Sequence, residues 1–195
     1  MAVCSVNCSE KRPKAFNCRP RPGHFGWRIV LSDASEIPAP LEATDDVVRP
    51  EWIDHNGHMN VAYYLLAFDE SSGHLLDLLG LTREYKKANN VATFVGDFHI
   101  RYVRELLEGD PLRITHQVIA CDAKRVHFAS QMYHGTEGYL AAQAEVISLH
   151  IDMSQRRVAA MAPSVLERVK AVQQAHAVLP RPDNLGRTIQ IKNPA

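Results

Sequence analysis

Between residues 92 and 153 apolar and polar side chains alternate in four successive stretches, ATFVGDFHIRYV, LRITHQVIACD, RVHFASQMYHG and YLAAQAEVISLHIDM. A period of two sends successive side chains to opposite faces of a strand, so Leu112, Ile114, His116 and Val118 share one face, as do Val126, Phe128, Ser130 and Met132. The turn-forming stretches EGD, DAKR and HGTEG join these segments as hairpins or longer antiparallel returns. The pattern predicts a four-stranded antiparallel sheet.

Upstream the period changes. Val61 to Phe68 is apolar all round, which on a helix predicts burial on every side. The polar DESSGH and then LLDLLGL carry that helix to Gly80, a C-terminal stop, and TREYKKANN holds a short second helix. Before it, VVRPEW reads as a short strand that Pro50 places at an edge or an end. After the sheet, PSVLERVKAVQQAHAV predicts a final helix ahead of a proline-rich tail over 181–195. The expected architecture is α+β over residues 41–180, a curved antiparallel sheet wrapped around one long central helix.

Composition narrows the function. The chain has 195 residues, 46% hydrophobic and 23% charged, enough for one globular domain with a sizeable core. Lys plus Arg and Asp plus Glu both total 22, which argues against broad electrostatic capture of nucleic acid or an anionic membrane. There is no run of about 18 apolar residues and no apolar core of a secretory signal, so a cytoplasmic protein is expected. Cys4, Cys8 and Cys18 lie in a basic, proline-containing leader over 1–40, and Cys121 stands alone in the domain. That is no disulfide framework, and it offers little for thiol catalysis. The leader reads as poorly ordered. It fits a transit peptide, a three-cysteine metal site or an extended start, and no function is assigned to it.

The stretch PEWIDHNGHMNVAYYLLAF concentrates the chemistry. Asp54 just before a helix can serve as a cap or Asx-turn residue. Yet Asn56, Gly57, His58 and Asn60 stand between it and the apolar run, more polar groups than one cap uses. A helix start offers free N–H groups and a positive dipole end that can hold a carbonyl oxygen and stabilise charge developing on it. A carboxylate beside it completes a hydrolase, attacking the acyl carbon or activating water, while Gly57 lets backbone approach the substrate. Asp54, Asn56, Gly57, His58 and Asn60 are therefore the catalytic candidates, with Glu70 on the helix as a rival carboxylate. Asp54, His55 and His58 could ligate a metal, but the His-x-x-His pair is a weak signal without a third strong ligand nearby, and no metal is assigned. His116, His127, His134 and His150 read as structural or dimer-contact residues, and His99 as a candidate because its strand lies beside the central helix.

DHNGHMNVAYY resembles the D-x-x-G-H-x-N signature of hot-dog fold acyl-CoA thioesterases, in the branch that includes 4-hydroxybenzoyl-CoA thioesterase. The likeness covers roughly residues 41 to 165. PEWIDHNGHMN, FHIRYVREL, GDPLRI, KRVHF and ISLHID are closer still to a subgroup that includes the betainyl-CoA thioesterases of carnitine breakdown. In that family the aspartate at the place of Asp54 is the catalytic carboxylate, Asn60 matches the asparagine after the glycine-histidine step, and Tyr64 matches a tyrosine on the central helix. The resemblance implies hydrolysis of an acyl-CoA without metal or redox cofactor, in a homodimer or a dimer of dimers whose sheets join edge to edge. Arg104, Lys124 and Arg125 are candidates for the coenzyme A phosphates. Trp52, Tyr63, Tyr64, Phe94 and Phe98 are candidates for the acyl pocket, where rings suit an aryl group or a quaternary ammonium alike. An acyl-CoA hydratase or dehydratase, and a non-catalytic acyl-CoA-binding domain, are the alternatives on the same fold.

Overall fold

The computed structural model describes residues 37–43, 46–183 and 185–191, so the expected leader lies outside the described residues up to residue 36. Strands β1 (Leu41–Ala43), β2 (Val91–Tyr102), β3 (Leu112–Cys121), β4 (Arg125–His134) and β5 (Leu140–Asp152) form one sheet in the order β1-β3-β4-β5-β2, with β6 (Arg157–Val158) against β5. Every pairing is antiparallel, and the four alternating segments become the four long strands. Helix α1 spans Val61–Leu78, α2 Arg83–Asn89 and α3 Pro163–His176. Gly80, at φ +79°, follows the end of α1 as the expected stop.

The inner face of the sheet carries Ile114, Val118, Val126, Phe128, Met132, Ala142, Ala144 and Val146, all part of the buried core. Against it α1 buries Tyr64, Ala67, Phe68, Ser71, Leu75 and Leu78, spaced at the three- and four-residue steps of one helical face. Each large apolar side chain so buried contributes about 1.5–3 kcal/mol. The helix is not covered on every side, as its composition suggests it should be. Val61, Leu65 and Leu66 remain 56%, 44% and 38% exposed, because a single sheet can enclose only one side of a helix.

VVRPEW is not a strand either. Val47 makes one isolated bridge to Pro111, and Pro50–Trp52 form a 3₁₀ turn with Pro50 at its first position, where a missing N–H costs nothing. The strand lies earlier, as the three-residue β1.

The two edges of the sheet differ. β1 pairs only with residues 114–116 of β3. Beyond that point the Val118 N–H donates to His176 Nδ1 at 2.9 Å, and His176 Nε2 donates to the Pro38 carbonyl at 2.8 Å, so α3 covers the rest of that edge. Both ring nitrogens are used in the neutral tautomer. Arg168 on α3 donates to the Leu78 carbonyl at 2.9 Å and closes the C-terminal end of α1. On the other side β2 is an uncovered edge among the described residues, with Phe94, Val95 and Tyr102 exposed.

The tail crosses the outer face of the sheet. Gln143 Nε2 donates to Asp183 at 3.1 Å, and the Gly186 N–H donates at 2.7 Å to Glu145, whose other oxygen meets His127 at 2.8 Å.

Candidate active site

Ile53 and Met59 bridge across a tight turn that leaves the chain just before α1. Inside it the Asp54 N–H donates to the His58 carbonyl and the Gly57 N–H to the Asp54 carbonyl, each at 3.0 Å. Closing so short a turn puts Gly57 at φ +84°, which glycine adopts without the Cβ penalty of other residues. The feet of the turn are anchored. Trp52 and Met59 are 2% and 1% exposed, the Met59 N–H donates to the Leu106 carbonyl, and the Asn60 N–H donates to the Trp52 carbonyl, both at 2.8 Å. Trp52 stacks on Tyr63 at 5.5 Å and holds the Arg49 guanidinium 4.7 Å from its ring centre.

On this turn Asp54 Oδ1 accepts the Asn56 N–H at 2.8 Å and lies 3.9 Å from His58 Nδ1. The Asn56 amide, more than any other group, holds the Asp54 carboxyl below its ordinary pKa. The nearby His58 and His55 act in the same direction, and partial burial opposes them. Asp54 is therefore an ionised carboxylate in the resting protein. Asn60 caps α1, its side-chain oxygen accepting the Ala62 N–H at 3.0 Å, while the Tyr63 N–H goes to the Asn60 carbonyl. The Val61 N–H, the first of the helix, has no intrahelical acceptor. A fixed anion thus stands close to the positive end of an 18-residue helix. That arrangement can polarise a carbonyl and deliver a nucleophile or a base to its carbon.

Asp54, Asn56, Gly57, His58 and Asn60 come together as one unit. Tyr64 instead faces the core, 4% exposed and edge-on to Tyr102 at 5.2 Å, and burial pushes its hydroxyl up to about 12. Phe98 is partly buried against Phe68. Phe94 lies on β2 eight residues before Tyr102, roughly 25 Å along the strand. His99 pairs across to Glu145, between the core-packed Phe98 and Ile100, so it lies on the outer face of the sheet and away from α1. Arg104 packs 3.7 Å from the Tyr139 ring and 3.9 Å from Glu137. Lys124 and Arg125 flank the far end of β3, roughly 30 Å along the strand from Leu112, and Arg125 is paired with Asp122 at 2.6 Å. Glu70 is exposed and roughly 14 Å down α1 from Val61.

One residue at this end of α1 was not singled out from the sequence. Tyr102 donates its hydroxyl to the Val61 carbonyl at 3.2 Å and stays 48% exposed. Its signal was the alternation itself, since Phe98, Ile100 and Tyr102 fall on the α1 side of β2.

Residues 48–169 match the model of the thioesterase-like superfamily. A betainyl-CoA thioesterase of Pseudomonas aeruginosa is 34% identical over 149 residues, 76% of this chain and 94% of that protein. An L-carnitine dehydrogenase/betainyl-CoA thioesterase of a Rhizobium species is 33% identical over 150 residues, 77% of this chain and 30% of that longer protein. Among solved structures, the Staphylococcus aureus protein SAV2348 in complex with CoA superposes with a TM-score of 0.74 at 26% identity, over 80% of this chain and 98% of that one. The family match runs through the Asp54 turn, α1 and all four long strands, and with the wrapped-helix architecture it leads to one assignment: the chain belongs to the thioesterase-like superfamily, as a thioester hydrolase of hot-dog fold.

Proposed function

We propose that the protein hydrolyses acyl-CoA thioesters, with betainyl-CoA or a close analogue as substrate and Asp54 as the group that starts the reaction. The observation that carries this reading is the Asp54 carboxylate itself, ionised and held by the Asn56 amide on a turn anchored at the start of α1. The thioester carbonyl oxygen points at the helix end, where the Val61 N–H and the dipole offset its developing negative charge. Asp54 then acts in one of two ways. It attacks the acyl carbon, expelling the coenzyme A thiolate and leaving a mixed anhydride that water cleaves; or it takes a proton from a water that attacks, and the tetrahedral oxyanion collapses to free acid and thiol. Either route consumes only water and calls on no metal or redox group. The quaternary ammonium acyl group is suggested by the substrates named for the relatives in P. aeruginosa and Rhizobium.

The active form in this reading is a homodimer. Val61, Leu65 and Leu66 on α1 and Val95 on the open β2 edge are exposed apolar groups beside unpaired strand backbone, a combination that invites a second copy. Pairing two β2 edges covers the bare side of α1 and dries the site.

Release of coenzyme A thiol from betainyl-CoA tests the mechanism. Replacing Asp54→Asn keeps the shape of the turn and removes the charge. The expected loss is about 10²–10⁴-fold in kcat; turnover at the wild-type rate would overturn the role of Asp54.

A further inference from the structure

We infer that Tyr102 is the residue that recognises a cationic acyl head group, and so sets the enzyme's preference among thioesters. The inference rests on the betainyl-CoA reading above. It starts from how this chain uses its aromatic rings. The rings of Trp52, Tyr133 and Tyr139 each already hold a guanidinium, from Arg49 at 4.7 Å, Arg113 at 4.4 Å and Arg104 at 3.7 Å. Tyr63 is partly buried and stacked on Trp52 at 5.5 Å, Phe98 is partly buried against Phe68, Tyr64 is buried in the core, and Phe94 lies at the distant end of β2. That leaves Tyr102, whose ring carries no resident cation among the described residues and is 48% exposed at the end of α1 that presents Asp54.

The ring is held firmly. Its hydroxyl donates to the Val61 carbonyl at 3.2 Å, and its body packs at 84° to Tyr64, 5.2 Å between centres. A receptor fixed at both ends loses little freedom when it binds. A quaternary ammonium has no N–H to donate, so an exposed aromatic face is what can distinguish it from a neutral group of the same shape.

The test compares betainyl-CoA with tert-butylacetyl-CoA, in which carbon replaces the quaternary nitrogen and shape is kept. The readout is the ratio of the two kcat/KM values, so a general loss of folding or pairing cancels. The wild type should favour the cation by about 3- to 30-fold. Tyr102→Phe, which keeps the ring, should retain that ratio, and Tyr102→Leu should bring it close to one. A wild type that prefers the cation, with Tyr102→Leu preferring it equally, overturns the role of Tyr102 and leaves the substrate reading intact. A wild type that cleaves other thioesters but shows no preference for betainyl-CoA overturns the substrate reading, and the inference with it.

Discussion

Replacing His116→Gln should flatten the dependence of stability on pH between 7 and 5. His116 is 0% exposed, enclosed by β3, β4, α1 and α3. Its Nδ1 meets Ser130 Oγ at 2.7 Å, its ring meets Phe128 edge-on at 6.2 Å, and its Nε2 has no hydrogen-bond partner among the described residues. Burial pushes its pKa from 6.5 down to about 3; the Ser71 backbone pulls the other way, and His74 and His176 add smaller downward pushes. In the unfolded chain the same ring titrates normally. As pH falls below 6.5 the unfolded state binds a proton that the native state refuses, so stability is full above that value and is lost progressively down to about 3. From pH 7 to pH 5 the loss assigned to this one ring is about 2 kcal/mol, at about 1.4 kcal/mol per pH unit once the unfolded ring is charged. That corresponds to roughly 4–8 °C in Tm for a chain of this size. Asp54, Asp122 and Asp152, all held below 3.8, contribute stability that is lost only at lower pH, outside this window. His176, also depressed by burial, adds to the loss with the same sign but is common to both proteins. Urea unfolding at both pH values, at one fixed protein concentration, gives the two differences. A pH-dependent loss in His116→Gln equal to that of the wild type would refute the reasoning, whatever the variant's absolute stability.

Because Asp54 sits below 3.8, the acidic limb of kcat/KM that reports it should lie below that pH in wild-type enzyme, and activity governed by this group should be level between pH 5 and 7; a limb centred near 6 would assign the essential base to another residue. Val95→Lys puts a charge on the open β2 edge, where Val95 is 50% exposed. Light scattering should show a shift from dimer toward monomer together with a fall in activity, whereas an unchanged dimer would place the subunit contact elsewhere.

Strands β3, β4 and β5 were legible because buried positions recur along them, and burial is what writes a period of two into a strand; β2 alternates in ATFVGDFHIRYV although its residues are only partly buried or exposed. The Asp54 turn was legible for a different reason: Gly57 and the polar residues around it meet a local backbone requirement, visible without tertiary structure. VVRPEW misled because its β-branched residues outweighed Pro50, whose fixed φ suits the start of a 3₁₀ turn. Features set by long-range register were out of reach. His99 and Tyr102 lie three residues apart on one strand, yet the pairing to β5 and the packing on α1 send the first outward and the second toward the site. The topology sets Lys124 and Arg125 at the far end of β3 from the turn that carries Asp54, a separation the sequence does not display. The apolar composition of α1 overstated its burial, since Val61, Leu65 and Leu66 stay exposed among the described residues.

His176, which takes the Val118 N–H on the β3 side of the sheet, has a consequence for how many copies can assemble. A sheet with two free margins can add neighbours indefinitely and grow into a fibre. Among the described residues one margin ends in a three-residue strand and a side chain that takes the next donor, so the β2 margin is the one left open to a twin in the proposed dimer. Two-fold pairing through the identical β2 margins, as in the proposed dimer, would leave no open margin over, and sheet-wise growth would end at a pair.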